Sequence, residues 1–350
     1  MSPTSPTPAS PSDRLALLNT WLASLPAQHE LQLASLAPAS ADASFRRYFR
    51  ITTGNPLQRT LVVMDAPPPQ EDCHPFVKIA GLMHQAGLHV PRILEQDLNQ
   101  GFLLLTDLGS HTYLNVMSPD KPREAHALFV DAIDALIKWQ LASKPGVLPE
   151  YNETLLQREL DLFPAWYVQK HLKHVLTTDQ QRTLDTMFKL ILSSNLAQPK
   201  VYVHRDYMPR NLMISTPNPG VLDFQDAVYG PITYDVASLF KDAFISWEEE
   251  EVLDWTIRYW ERAKKAGLPV SDDFAEFYRD CEWMGLQRHL KVLGIFARIN
   301  YRDGKPHYLS DTPRFVAYVR HVSNRYIALK PLLRLFDELE GIAVKSGYTF

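Results

Sequence analysis

Cysteine is scarce in this chain. There are two in 350 residues, Cys73 and Cys281. They stand too far apart for a paired metal-ligand motif, and so few thiols suit a reducing compartment better than a disulfide scaffold. No stretch approaches the roughly 18 consecutive apolar residues of a membrane span. Neither charge dominates: 36 Lys and Arg against 40 Asp and Glu leave a net charge of -4. That balance argues against wholesale binding of nucleic acid or of an anionic membrane. The first residues, "MSPTSPTPASPSDR", carry neither the basic start nor the apolar run of a secretory signal. Their Ser, Thr and Pro content predicts a disordered tail over residues 1–12. No internal repeat is present. The expectation is a cytoplasmic protein.

What is there divides into two halves. "DRLALLNTWLASL" has helical apolar spacing. "FRRYFRI" and "RTLVVMDA" are strand-like, separated by the turn-forming "TTGNPLQ". "PFVKIAGLMHQAGL" is helical, with Phe76, Ile79, Ala80 and Met83 on one face and Gly87 at its end. Two more strands follow in "VPRILEQDLNQGFLLLTDLG". From Lys121 helical periodicity takes over. It is interrupted by the short strands "KVYVH", "NLMIS" and "GVLDF", and it resumes from Tyr234. The predicted fold is α+β, with a mainly antiparallel small lobe over residues 13–107 and a larger, mostly helical lobe over 108–350.

The interruption carries the chemistry. In "VYVHRDYMPRNLMIS", Asp206 follows a strand and Asn211 comes five residues later; Asp223 ends the strand of "GVLDFQD". Phosphoryl transfer from ATP needs a carboxylate to take the attacking hydroxyl's proton and hard oxygens to hold Mg²⁺; the rest is positioning and charge neutralisation. H-R-D-x-x-x-x-N followed by D-F is the kinase pattern that meets this need. Asp206 is then the base, and Asn211 and Asp223 are the metal ligands. Strand ends on either side of a loop turned by Pro209 would let the three converge. His204 is expected to brace the loop.

On these residues the chain resembles the aminoglycoside-phosphotransferase and choline-kinase superfamily of protein-kinase-like small-molecule kinases. "ADASFRRYFRI", "LVVMDAPPPQEDCHPFVKIAGL" and "LQRHLKVLGIFARINYRDGKPHYL" are similar to one branch of it, the bacterial anomeric kinases for N-acetylmuramate and N-acetylglucosamine in peptidoglycan recycling. The resemblance spans residues 13–340. It implies a two-lobed fold, ATP and Mg²⁺ as cofactors, a sugar substrate held near Asp206, and a sugar α-1-phosphate as product. It also implies that "LLLTDLG" is the lobe connector, with backbone groups near Thr106 and Leu108 on the adenine edge. Asp107 would face the sugar or cap the connector.

Two departures stand out. The stretch "ASADASFRR" has no glycine where kinases cover the phosphates. Donors from Ser40, Ala43 and Ser44 would serve instead, or the stretch is simply a polar turn. Met64 occupies the strand position of the phosphate-binding lysine. Arg46, Arg47, Arg50 and Lys78 are the substitute cations, each equally open to a solvated surface role. Asp-Phe-Gln replaces Asp-Phe-Gly, with Asp226 next, as a second metal ligand or a turn residue. Asp235 is expected to brace the catalytic loop.

The segment from Cys281 to Lys330 holds nine cations and three acids, the reverse of what a polycationic aminoglycoside needs. Arg288, Lys291, Arg298 and Arg302 fall on one helical stripe. Arg288 is the first candidate for the lactyl carboxylate of N-acetylmuramate, against a solvated helix face. Kinases of another small alcohol or an aminoglycoside, and a non-catalytic nucleotide-binding regulator, are the rival readings.

Overall fold

The computed structural model describes residues 11–41 and 45–342, forming two compact units: one of residues up to Ser110 with Ile214–Gln225, the other of His111–Met213 with the chain from Asp226 onward. The tail expected over 1–12 lies outside the described residues apart from Pro11 and Ser12, which open the first helix.

The first unit is built on a five-stranded antiparallel sheet: β1 (Ala37–Ala41), β2 (Arg47–Thr52), β3 (Thr60–Asp65), β4 (Ile93–Asp97) and β5 (Phe102–Thr106), in the order β1-β2-β3-β5-β4. Period-2 alternation sends Phe49 and Ile51, Leu61 and Val63, and Phe102 and Leu104 to one face. There they pack on Leu18, Trp21 and Leu22 of α1 (Pro11–Ser24). Each such side chain contributes about 1.5–3 kcal/mol by leaving water. β1 was not expected as a strand: "APASA" offers neither alternation nor β-branched residues, and only pairing with β2 defines it. Helix α2 (His74–Gln85) buries the predicted Phe76, Ile79, Ala80 and Met83. The segment Ile214–Gln225 joins this unit and not the helical one. Its strand β8 (Gly220–Val221) bridges His89 in parallel.

The second unit is mostly helical: α3 (Tyr113–Val116), α4 (Pro122–Leu141), α5 (Glu153–Leu160), a π-helical segment at Phe163–His171, and α6 (Thr178–Ala197), then α7 (Tyr234–Phe240), α8 (Glu249–Lys265), α9 (Phe274–Asp303), α10 (Thr312–Arg325) and α11 (Lys330–Leu339). Between α6 and α7, β6 (Lys200–Val203) pairs antiparallel with β9 (Val228–Pro231), and the two-residue β7 (Leu212–Met213) follows the loop after β6. Helix α9 is buried continuously from Cys281 to Gly294. Arg288 and Lys291 therefore lie inside the unit, which rules out the alternative of a solvated helix face for these two residues. Among the described residues no helix is long and apolar enough to cross a membrane.

Candidate active site

In the second unit the loop after β6 is held from below by one buried acid. Asp235, in the first turn of α7, accepts the backbone N–H of His204 on Oδ2 at 2.7 Å and that of Arg205 on Oδ1 at 3.0 Å. Burial pushes its carboxyl up to about 7, although these two N–H donors and Arg288 pull the other way. His204 is fully buried, and its Nδ1 accepts the Asp206 N–H at 3.2 Å. Tyr207, also fully buried, donates its hydroxyl to the Ala132 carbonyl at 2.8 Å. Asn211 ends the loop in a turn begun by Pro209, and its Nδ2 donates to the Asp206 carbonyl at 2.9 Å. The loop is thus pinned on both sides of Asp206, at His204, Arg205, Tyr207 and Asn211.

Arg205 has φ 77°. A side chain in this left-handed region costs on the order of 1–3 kcal/mol and persists only where the surroundings over-determine it. Its guanidinium reaches Glu159 Oε1 at 2.5 Å. Glu159 also receives Lys291 Nζ at 2.9 Å, the Tyr151 hydroxyl, and Gln287 Nε2 at 3.3 Å. Burial pushes the Glu159 carboxyl up, yet Lys291 and Arg205 outweigh it and hold the group at about 2. Glu159 had no signal in the sequence: in "LLQREL" it looks like any exposed helical glutamate.

In the first unit Asp223 has φ 61° and accepts a 2.8 Å bond from Gln225 Nε2 on Oδ1. Phe224 is fully buried and packs on Phe76 of α2, ring centroids 4.8 Å apart. The residue standing where kinases have glycine thus orients the carboxylate two positions before it. Asn211 and Asp223 offer an amide and a carboxylate oxygen, the hard donors that suit Mg²⁺. The two residues belong to different units.

The expected nucleotide cations are engaged within the first unit. Arg47 and Asp65 are direct cross-strand neighbours and form an ion pair, and Arg14 joins them at 2.7 Å on the fully buried Asp65. Arg46 lies 3.3 Å from Glu71. Arg50 grips Asp107 with two bonds of 2.6 and 3.0 Å. Asp107 also accepts from Thr60 Oγ1 at 2.8 Å and Gly109 N–H at 3.0 Å. Burial raises its carboxyl, but Arg50 and these donors keep it below the ordinary range. Of the two roles weighed for Asp107, this bonding is that of a connector cap. The Thr106 N–H is spent on the Arg92 carbonyl at 3.0 Å, while Leu108 is largely buried in the connector. Met64 is fully buried. Ala43 and Ser44 lie outside the described residues, and for Ser40 the structure gives the backbone, paired with Tyr48.

The basic stripe of α9 is divided. Lys291 serves Glu159, and Arg302 is paired with its neighbour Asp303 at 2.6 Å. Arg288 is 2% exposed. Its charge pulls down both Asp235 and Asp242, carboxyls that burial raises to about 7 and about 6.

Residues 35–272 match the profile of the phosphotransferase enzyme family. An N-acetylmuramate/N-acetylglucosamine kinase of Pseudomonas aeruginosa is 54% identical over 333 residues, covering 93% of this chain and 96% of that protein. A Pseudomonas putida protein of the same name is 55% identical over 311 residues, covering 89% and 90%. Among solved structures, a choline/ethanolamine kinase family protein from Mesorhizobium loti shares the fold, with a TM-score of 0.60 at 16% identity over 93% of this chain and 99% of that one.

Proposed function

We propose, from the premise that this chain belongs to the phosphotransferase enzyme family, that it transfers the γ-phosphoryl group of ATP to the anomeric C1 hydroxyl of N-acetylmuramate and N-acetylglucosamine. The products are the sugar α-1-phosphate and ADP, within cell-wall recycling. The observation that carries this reading is identity above half, over nearly the whole chain, to proteins named for these two sugars.

Asp206 accepts the C1 hydroxyl proton as the C1 oxygen bonds to the γ-phosphorus and the bond to the β–γ bridging oxygen breaks. Its neighbours support this role by fixing the loop: Asp235 holds the backbone before it, and Asn211 holds its carbonyl. Asn211 and Asp223 are the residues that would hold Mg²⁺. Held there, Mg²⁺ would supply positive charge to offset that of the phosphates. Ser40, Ala43, Ser44, Arg46 and Arg47 remain the proposed phosphate-side residues, with connector backbone at Thr106 and Leu108 for adenine. Arg288 remains the proposed sugar-side residue, while the Asp107 oxygens are taken by Arg50, Thr60 and the Gly109 N–H. Arg288 is the cation offered to the lactyl carboxylate.

The test is phosphate transfer from ATP across both amino sugars, an aminoglycoside and choline, with the product position located by ³¹P-coupled NMR. Phosphate on C1 of either sugar supports the reading. Transfer only to an aminoglycoside or choline sinks it.

A further inference from the structure

Arg205 stands where glycine would cost nothing. At φ 77° a glycine is unstrained, while an arginine pays in backbone energy. Its side chain must therefore do something glycine cannot. Both ends of the residue are tied: its N–H to Asp235, its guanidinium to Glu159. The adjacent residue is Asp206.

We propose that Glu159 is a positioning residue for Asp206, acting through the guanidinium of Arg205. The Glu159 side chain is 6% exposed and both its oxygens are used, Oε1 by Arg205 and Lys291, Oε2 by Tyr151 and Gln287. Tyr151 precedes α5, Gln287 and Lys291 lie on α9, and Lys291 also donates to the Tyr234 hydroxyl of α7 at 3.0 Å. Glu159 thus ties the Arg205 guanidinium to three rigid parts of the second unit. Two cations meet one acid here, and both Arg205 and Lys291 lie within the field of Asp206. The rigid tether fixes where the Asp206 carboxylate sits. A loop free to relax Arg205 towards negative φ would swing the next carboxylate away from the attacking hydroxyl.

This inference rests on Asp206 being the base, so Asp206→Asn is assayed alongside. Glu159→Gln keeps the shape but removes the charge. It leaves two buried cations uncompensated, and the variant can fail to fold. Glu159→Gln with Lys291→Met removes one of those cations. In either folded variant kcat should fall about 10–100-fold, since a misplacement near 1 Å can cost about 10²-fold. The KM values for ATP and N-acetylglucosamine should stay within about threefold, because the lost contact acts in the transition state. Adding Arg205→Gly should cost little more, because the two residues act as one unit. Recovery of kcat in the double variant along with Tm, a loss confined to KM, additive losses with Arg205→Gly, or failure of the double variant to fold would each assign Glu159 to the core alone. If Asp206→Asn keeps its rate, the base assignment fails and this inference with it. If Asp206→Asn is inactive while the Glu159 variants are not, only the positioning role fails.

Discussion

At the scale of single residues, the proposed chemistry rests on two carboxylates, Asp206 as base and Asp223 as metal ligand. Help from a positioned base is worth about 10²–10⁴-fold. Asp206→Asn should lose that factor in kcat while ATP binding, measured by calorimetry, and Tm stay near wild type. Asp223→Ala removes a hard oxygen ligand and should raise the Mg²⁺ concentration at half-maximal rate as well as nearly abolishing transfer; an unchanged Mg²⁺ titration would remove Asp223 from the metal. Arg288 carries two expectations at once. It is buried and its charge acts on Asp235 and Asp242, so Arg288→Ala should weaken the hold of Asp235 on the loop and slow both sugars. A hydrogen bond to a charged group is worth roughly 1.5–3 kcal/mol, about one to two powers of ten in kcat/KM. N-acetylmuramate should therefore lose that much beyond the loss on N-acetylglucosamine. Equal losses would confine Arg288 to bracing. The motif positions were legible because their spacing is chemical. Glu159 was not, because nothing local distinguishes a glutamate that meets Lys291, 132 residues away, from one that meets water.

At the scale of elements, α9 and the π-helical segment set how closely the second unit can pack. π-Helical geometry is rare and often sits near functional sites. Gly294 lets the two approach: a Cβ there would lie 2.3 Å from the backbone carbon of Leu162. That neighbour is backbone and cannot simply swing aside. Gly294→Ala should destabilise the protein by about 1–3 kcal/mol, the usual cost of overpacking, despite the gain in helix propensity. Urea unfolding would register it as a lower midpoint with the same m-value. The sequence offered α9 as an amphipathic basic helix because Arg288, Lys291, Arg298 and Arg302 share a stripe. Spacing reports which residues share a face, and tertiary packing decides what that face meets.

At the scale of the whole molecule, buried acids give stability a pH dependence. Glu159 is held at about 2 in the folded state, below its ordinary value of 4.5. A depressed carboxylate contributes stability that is present above its unfolded pKa and is lost as pH falls towards the folded one. The free energy of unfolding should drop on the order of 3 kcal/mol between about pH 4.5 and 2 through this group. The Glu159→Gln, Lys291→Met double variant should lack that part of the acid slope in pH-dependent unfolding curves. An unchanged slope would mean that other carboxylates carry it.

The sequence by itself determined the strand-strand-helix-strand-strand order of the first unit, the helical character of the second and the motif on which the proposed roles of Asp206, Asn211 and Asp223 rest. Those follow from alternation, from turn residues and from motif spacing, all local in the chain. Only the tertiary structure decided that "APASA" is a strand, that residues 214–225 belong with the first unit, and that Arg47 and Arg50 are committed to Asp65 and Asp107. It alone placed Arg288 and Lys291 inside. The reason is common to all of these: a charge, or a strand without pattern, is defined by its partner, and these partners lie elsewhere in the chain.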